Sequence, residues 1–423
     1  MLLPTQQRTG PLELGAVSQA ATDLRERIRR LPGMDRLLPA LGGLPPTYLV
    51  GGAVRDLLRG ADAVDLDLAV EGDARSVGRT LADRLGGTVR EHERFGTATV
   101  RAPDLVFDLA TTRTESYDEP GALPRVAAAT LADDLRRRDF TINAMAVALF
   151  GDDLGHLYDP YGGLADLDAR VVRILHSGSF FDDPTRLLRA VRYETRLGFH
   201  LAEDSERAAR VAVAEDALST VSGSRVRDEL MDLLAEHEAP AAIERLRELG
   251  LDRALHPALE PDPELVASAS LGAAAIGADR GIASLAALVA GDIDRLEPWV
   301  AGLQLEARER DAVTRAASVA PHIVQQLRAH EHAPSELRDL LGGEPQEALA
   351  LALALGAPSE PILRWATDLS AVRLEIGGAD LLAAGIPEGP AVGRALDETL
   401  RRKLDGLVRG RDDELRTALE LAR

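Results

Sequence analysis

The sequence of 423 residues contains no cysteine. Disulfide bonds and thiolate metal sites are therefore excluded, and nothing indicates an oxidising compartment. No apolar run approaches the ~20 residues that a membrane-spanning helix requires, and the first residues are too polar and too rich in Pro and Gly for a signal peptide. We therefore expect a cytoplasmic protein with no membrane partner.

Lysine is almost absent, because only Lys403 among the 49 basic residues is a lysine. We attribute this to codon usage that favours arginine rather than to function. The net charge of −20 argues against a general nucleic-acid binder, which usually carries a basic surface. Net charge is a weak guide, however, because binding depends on the local potential in a cleft.

Two kinds of pattern divide the chain. Between residues 47 and 150, short β-branched runs alternate with helical segments, which predicts a mixed α/β region. A helix over 12–40 precedes this region. From about residue 182 to the end, the spacing is helical with almost no strand pattern, and we expect joints near 256–264, 357–361 and 385–390. The predicted fold class is α+β, with a helical second half.

Aspartates alternate with aliphatic residues in two candidate strands. In VDLDLAV, a period of two places Asp65 and Asp67 on the same face, and LVFDLA repeats the pattern around Asp108. If the strands are neighbours, three carboxylates converge. Such oxygen ligands suit magnesium, and two ions in one site can clamp the attacking and leaving oxygens of a phosphoryl transfer. A solvated strand face is the alternative, and the aspartate pair alone does not decide between them.

A Gly-Gly pair stands between a candidate strand and a candidate helix. Gly51 and Gly52 can bring backbone N–H groups and a helix N-terminus close to a phosphate. Arg55 lies one turn into the same helix and is a natural phosphate ligand. Two glycines alone are weak evidence, but this combination, followed at once by the aspartate strand, favours a nucleotide site.

The segment GGAVRD…DLD resembles the first motif of class II tRNA nucleotidyltransferases, the bacterial CCA-adding enzymes and their poly(A) polymerase relatives. Their catalytic head is similar to the nucleotidyltransferase fold of DNA polymerase beta. Further motifs follow in the family's order, so the resemblance covers nearly the whole chain: RRDFTINAMA (137–146), YDPYGGLADL (158–167), DDPTRLLRAVRY (182–193), SRVRDEL (224–230) and a tail segment (376–396).

The resemblance implies a role for each matching residue. Asp65 and Asp67 would hold two magnesium ions, and Asp108 would join them in catalysis. The implied nucleotide-binding residues are Gly52, Arg55, Arg138, Asp139, Asp183, Arg186, Arg189 and Arg192. The implied segments are an N-terminal helical extension (1–45), a catalytic head (46–150), a neck with the nucleotide-selecting helix (151–240), a helical body (241–370) and a helical tail (371–423).

The nucleotide-selecting helix is expected to begin near Asp183. Cytosine and adenine share an amino donor beside a ring-nitrogen acceptor, so a carboxylate (Asp183) and a guanidinium (Arg186) can pair with both. Uracil and guanine have the opposite polarity and would leave buried groups unpaired, at a cost of roughly 1–3 kcal/mol per group. One departure is Asp182, where family members commonly have Glu, and it concerns the supporting hydrogen bonds rather than base choice.

Two segments favour full CCA addition. EHERFGTATV (91–100) is similar to the CCA-adding version, and RTESYDEPGALPRV (113–126) retains a flexible loop that CC-adding relatives tend to lack in part. We therefore expect transfer of CMP and AMP from CTP and ATP to the tRNA 3′ end, with the helical half holding the acceptor and T-stem by backbone shape. The alternatives are a poly(A) polymerase, a CC- or A-adding specialist, and an inactive RNA-binding relative.

Overall fold

The computed structural model describes residues 23–60, 65–92, 96–116, 121–122 and 124–423. The chain divides into two compact units, one ending at Thr220 and the other beginning at Val221. The first unit contains a mixed sheet with helices, and the described elements of the second are helical. The predicted α+β fold class is thus confirmed. The finer division into five segments stays a prediction.

Helices and short strands alternate along the first unit. Its helices are α1 (23–30), α2 (Met34–Ala40), α3 (Gly52–Arg59), α4 (Ala74–Leu85), α5 (Leu131–Arg136), α6 (Gly163–Ala169), α7 (Ser179–Asp182), α8 (Arg186–Leu197) and α9 (Glu203–Ala214). Its strands are β1 (Thr47–Val50), β2 (Leu66–Val70), β3 (Thr88–His92), β4 (Thr97–Ala102), β5 (Leu105–Thr111), β6 (Arg113–Ser116), β7 (Arg125–Ala128), β8 (Ala146–Ala148), β9 (Leu157–Tyr158), β10 (Val171–Val172) and β11 (His200–Leu201).

The described elements of the second unit are all helices. They are α10 (Gly223–Ala235), α11 (Ala239–Leu249), α12 (Leu251–Leu255), α13 (Pro263–Ile276), α14 (Arg280–Val289), α15 (Ile293–Gly302), α16 (Ala307–Ala329), α17 (Pro334–Leu341), α18 (Gln346–Ala354), α19 (Ser359–Thr367), α20 (Gly378–Ala383), α21 (Pro390–Leu404) and α22 (Gly410–Ala422). The predicted joints coincide with the breaks before α13, α19 and α21, and none of the described helices is long and apolar enough to cross a membrane.

The central sheet has seven strands in the order β3-β4-β5-β2-β1-β8-β9. β2 and β5 are parallel neighbours, and their register places Asp67 beside Asp108. Leu66, Leu68 and Phe107 are buried while both aspartates are exposed, as the period-two pattern predicts. The strand alternation therefore sets two carboxylates side by side on one face of the sheet.

Two sequence predictions differ from the structure. The predicted helix over 12–40 is interrupted between α1 and α2 by Pro32 and by Gly33, whose φ is 77°. Its part before residue 23 lies outside the described residues. The predicted flexible loop over 113–126 contains paired strands at its ends, since Arg113–Ser116 is antiparallel to Arg125–Ala128.

Two packing clusters occupy the second unit. Nearly every residue of α14 is buried, and α14 packs with α13, α16 and α18. Further along the chain, α20, α21 and α22 share a small apolar core around Leu381, Ala395 and Ala418. At the end of α21, the ammonium of Lys403 donates to the Arg373 carbonyl (2.9 Å) and to the buried carboxylate of Glu414 (2.5 Å).

Candidate active site

A cleft of about 380 Å³ in the first unit collects side chains that are far apart in the sequence. It is lined by residues of the turn before α3, of β2, of the segment after α5 and of the segment leading into α8. The predicted residues in this lining are Gly52, Arg55, Asp67, Arg138, Asp139, Asp183, Arg186 and Arg189. Most of the proposed nucleotide site is therefore assembled in one place.

The turn between β1 and α3 depends on Gly51. Its φ of 67° lies in the region that favours glycine, and its N–H donates to the carbonyl of Met145 (3.2 Å). A Cβ at this position would come within 2.7 Å of Nη1 of Arg138. Because Gly51 has no side chain, the turn backbone lies close to the Arg138 guanidinium. The turn leads into the N-terminus of α3, where helical N–H groups can bind an anion.

Arg55 is buried at the bottom of this turn, with only 3% of its surface exposed. Nε and Nη2 donate to the carboxylate of Asp56 (2.9 and 2.8 Å), and Nη1 donates to Oδ1 of Asn143 (2.8 Å). Burial disfavours the charge, but Asp56 outweighs it and raises the pKa of Arg55. The guanidinium therefore stays charged and is held in one orientation.

Arg138 retains hydrogen-bonding capacity toward the cleft. Nη2 donates to Asp134 (3.0 Å), and Nε is buried without a hydrogen-bond partner among the described residues. Burial opposes the charge of Asp134, but the guanidinium groups of Arg138 and Arg137 lower the pKa of that carboxyl. A buried donor left without a partner is costly. A bound anion in the cleft is therefore a natural partner for Arg138.

Asp67 and Asp108 form a carboxylate pair on neighbouring strands. The surrounding protein removes part of the hydration of Asp67, and Asp108 repels its charge, so the pKa of Asp67 is raised, although Arg138 acts in the opposite sense. The hydroxyl of Thr99 donates a hydrogen bond to Oδ1 of Asp108 (2.5 Å). Paired carboxylate oxygens of this kind fit a hard divalent cation, which would relieve the repulsion.

The third predicted carboxylate is less well placed. Asp65 is exposed and precedes β2, and its carbonyl accepts from the N–H of Asp67 (3.0 Å). Within the described ranges, no three carboxylate or imidazole side chains are gathered closely enough to hold a metal ion together. The three predicted aspartates therefore do not converge as a preformed group, because Asp65 is not part of the strand that orients Asp67.

Asp183 and Arg186 meet where α8 begins, but the predicted helix start is wrong. Asp183 is extended (φ −137°, ψ 93°) because the residue before a proline, here Pro184, avoids the helical region. Its carboxylate accepts from the N–H (3.1 Å) and the hydroxyl (2.7 Å) of Thr185. The helix starts at Arg186, so Asp183 lies in the loop before α8 rather than on the helix.

Arg186 is a buried arginine with two bonds to fixed partners. Nη1 donates to the hydroxyl of Ser179 (2.6 Å), and Nη2 donates to the carbonyl of Arg137 (2.8 Å). Only 5% of Arg186 is exposed. These contacts fix the plane of the guanidinium beside Asp183 in the cleft lining.

Arg189 is tied to Asp139. Nε and Nη2 of Arg189 donate to Oδ2 of Asp139 (2.9 and 2.5 Å), and Asn143 donates to Oδ1 (3.1 Å). Burial opposes the charge of Asp139, but Arg189 and the hydrogen bonds lower the pKa of this carboxyl. In the described part of the chain, Arg192 is not among the residues that line the cleft, whereas Arg196 is.

Sequence reasoning assigned no role to several residues of the lining. Asn143 and Arg137 belong to the RRDFTINAMA motif, and Tyr193 ends the DDPTRLLRAVRY motif. Their positions inside motifs were the available signal. Glu115, on β6, had no such signal, and in the cleft lining its carboxylate accepts from Nη1 of Arg137 (2.7 Å).

Two family models match this chain. Residues 47–173 match the Poly A polymerase head domain, and residues 198–262 match the probable RNA and SrmB-binding site of polymerase A. The first match contains the cleft from the Gly-Gly turn to Asn143. The second begins after α8.

Curated relatives and a solved structure extend the likeness along the chain. An A-adding tRNA nucleotidyltransferase of Geobacter sulfurreducens is 36% identical over 405 residues, which are 89% of this chain but 45% of that protein. The chain thus spans a little under half the length of this relative. The CCA-adding enzyme of Thermotoga maritima complexed with tRNA is similar in fold, with a TM-score of 0.70 and 30% identity over 95% of this chain and 98% of that one.

A relative of matching length settles the family. The CC-adding tRNA nucleotidyltransferase of Deinococcus radiodurans is 35% identical over 376 residues, covering 88% of both proteins. Three of the motifs that carry the resemblance contribute residues to the cleft described above: GGAVRD…DLD, RRDFTINAMA and DDPTRLLRAVRY. This chain belongs to the tRNA nucleotidyltransferase family.

Proposed function

We propose that this chain adds nucleotides to the 3′ end of tRNA, transferring CMP and AMP from CTP and ATP and releasing pyrophosphate. The observation that carries the proposal is the cleft, where a Gly-Gly turn, two fixed arginines and an Asp–Arg pair come together. The first two elements suit a triphosphate and the third suits a base edge. The names of the relatives support tRNA as the acceptor.

Phosphate binding is assigned to the turn and its arginines. The N-terminus of α3 and the guanidinium of Arg138, whose buried Nε has no partner among the described residues, can donate hydrogen bonds to phosphate oxygens. The buried Arg55 adds a fixed positive charge beneath the turn. Because both arginines are held by other side chains, little ordering is required when the nucleotide binds.

Base choice is assigned to Asp183 and Arg186. Among the described residues, the two bonds of Arg186 use two of its five N–H donors, so the others can reach a ring nitrogen. Asp183 can accept from the neighbouring amino group of cytosine or adenine. Uracil and guanine offer the opposite polarity and would leave buried groups unpaired, which costs roughly 1–3 kcal/mol per group.

Nucleotidyl transfer is assigned to the carboxylates. Asp65 and Asp67 would hold two magnesium ions, which when bound would stabilise the charge that develops on the phosphate oxygens. Asp108, which lies beside Asp67 and is bonded to Thr99, would accept the proton of the RNA 3′ hydroxyl. The hydroxyl oxygen then attacks the α-phosphate, and pyrophosphate leaves.

The product is tested with three tRNAs that end before the first C, after C and after CC. Each is offered CTP, ATP or both, and products are resolved to one nucleotide. We expect CC addition from CTP, one A from ATP, and then arrest. Unlimited A addition to any RNA end, with CTP unused, would refute the proposal and indicate a poly(A) polymerase.

A-only addition is the second candidate, because the Geobacter relative that matches 89% of this chain is A-adding. In the same assay, an A-adding enzyme would extend only the tRNA that ends in CC. Asp67→Asn should abolish incorporation while tRNA affinity stays near that of the wild type. Incorporation that persists in Asp67→Asn would contradict the role of Asp67, whichever nucleotide is added.

A further inference from the structure

One tyrosine contacts two arginines of the cleft. Tyr193 lies on α8 in the cleft lining, and its ring centroid is 5.3 Å from Cζ of Arg55 and 5.8 Å from Cζ of Arg189. Both distances are within the ~6 Å reach of a cation–π interaction. The two arginines come from α3 and α8, so the ring joins the phosphate side of the cleft to the helix that follows Asp183.

The ring itself is held in place. Phe140, which is fully buried, packs edge-on against Tyr193 with centroids 5.6 Å apart and an interplanar angle of 85°. Nη2 of Arg189 donates to the Tyr193 hydroxyl (3.3 Å). Edge-to-face packing restricts ring rotation, so the face that the arginines contact is fixed.

The contacts close into a ring of five residues. Arg55 bonds to Asn143, Asn143 to Asp139, Asp139 to Arg189, Arg189 contacts Tyr193, and Tyr193 contacts Arg55. Every member lines the cleft. Tyr193 is the member of this ring that contacts both arginines.

We propose that Tyr193 is a positioning residue that orients Arg55 and Arg189 to bind the nucleoside triphosphate. This rests on the proposed function, since it assigns the cleft to CTP and ATP. Removing the aromatic side chain breaks the five-residue ring of contacts. Arg55 is then held only by Asp56 and Asn143, and Arg189 only by its polar partners such as Asp139, so each guanidinium loses one restraint on its position. Nucleotide binding then requires them to be ordered again, so the effect falls on nucleotide affinity rather than on RNA affinity.

The test compares Tyr193→Leu with Tyr193→Phe in steady-state nucleotide addition by the full chain. Two cation–π contacts are lost in Tyr193→Leu, and we expect the KM for CTP to rise about five- to thirtyfold. The KM for tRNA should stay within twofold, and kcat should fall less than the KM for CTP rises. Tyr193→Phe keeps the ring and should restore the wild-type KM for CTP to within about threefold.

Tyr158→Leu is the matched control, because Tyr158 packs edge-on against Tyr48 and lines a different cavity. It should lower the thermal midpoint and leave the KM for CTP unchanged. A Tyr193→Leu variant with wild-type KM for CTP would overturn the inference. So would a Tyr193→Phe variant as impaired as Tyr193→Leu, since the aromatic side chain would then not account for the effect.

A double-mutant cycle separates positioning from general damage. If Tyr193 acts through Arg189, Tyr193→Leu should raise the KM for CTP much less in an Arg189→Ala background than alone. Equal effects in both backgrounds would overturn the inference. Wild-type protein that incorporates neither CMP nor AMP would refute the proposed function instead, and calorimetric titration of the same variants with CTP would then decide the role of Tyr193 without turnover.

Discussion

Replacing Gly51 by alanine should destabilise the first unit, whereas the same change at Gly52 should not. Gly51 has φ 67° and ψ −133°, a combination that residues with a Cβ rarely adopt. Holding a non-glycine residue in so sparse a region costs of order 1–3 kcal/mol. Gly52 opens α3, and a Cβ there would come no closer than 3.4 Å to the Arg55 guanidinium, an ordinary van der Waals contact.

A second contribution comes from Arg138. A Cβ on Gly51 would lie 2.7 Å from Nη1 of Arg138, closer than such atoms approach, so the guanidinium must move. Its bond to Asp134 (3.0 Å) is then weakened, and a hydrogen bond between charged groups contributes about 1.5–3 kcal/mol. With part of that bond lost, we expect Gly51→Ala to lower the free energy of unfolding by roughly 2–4 kcal/mol.

Scanning calorimetry of the full chain measures the effect. For a unit of this size, 1 kcal/mol shifts the midpoint by about 2–4 °C, so the transition of the first unit should fall by roughly 4–16 °C. Gly52→Ala should leave it unchanged or raise it slightly, because alanine is the better helix former by roughly 0.5–1 kcal/mol. Equal losses in both variants, or none in Gly51→Ala, would refute the conformational argument.

Three further predictions concern other parts of the chain. Asp183→Ala should reduce the preference for CTP over UTP, measured as the ratio of kcat/KM, by roughly 5- to 150-fold, and unchanged discrimination would count against base selection by this carboxylate. The lowered pKa of Asp139 means that its ionised form adds stability above about pH 4 and that this stability is lost as the pH falls through the folded-state pKa. Urea midpoints of wild type and Asp139→Asn should therefore differ at pH 7 and converge in acid, and a gap independent of pH would contradict the charge argument. Gly223→Ala should cost about 1–3 kcal/mol in the second unit, since a Cβ there would overlap the carbonyl oxygen of Gly302, and a wild-type melting profile would exclude that clash.

Much of the site could be predicted because its elements carry short-range patterns. The alternation around Asp67 and Asp108 is visible in six or seven residues, and period two determines the face of a strand wherever it pairs. The alternation does not indicate which strands pair or in which register they pair. The parallel register of β2 and β5, which places these two aspartates side by side, depends on contacts between residues about forty positions apart.

The start of α8 could have been predicted more closely. Pro184 disfavours helical geometry at Asp183, and this restriction is legible in the sequence. The regular three-residue spacing of Asp183, Arg186 and Arg189 suggested one continuous helical stripe instead. Local backbone chemistry prevailed over side-chain periodicity at this position.

Long-range contacts were beyond sequence reasoning. The burial of Arg55, its bond to Asn143 and the ion pair between Asp139 and Arg189 join segments 50 to 88 residues apart. Nothing in the local spacing indicates which arginine is tied to which carboxylate. Tyr193 was missed for the same reason, since Arg55 and Phe140 contact it from distant segments of the chain.

Because the chain has a single lysine, local opening of its C-terminal helices can be measured separately by proteolysis. Lys403 lies in the last turn of α21 with its ammonium held by Glu414 of α22. A protease that cleaves only after lysine can cut this chain at one bond, releasing residues 404–423. Helical backbone resists cleavage until it opens locally, so under conditions of rapid reclosing the digestion rate reports the equilibrium between closed and open tail helices. Comparing that rate with and without tRNA would show whether the acceptor stabilises the last two helices, independently of any nucleotide addition.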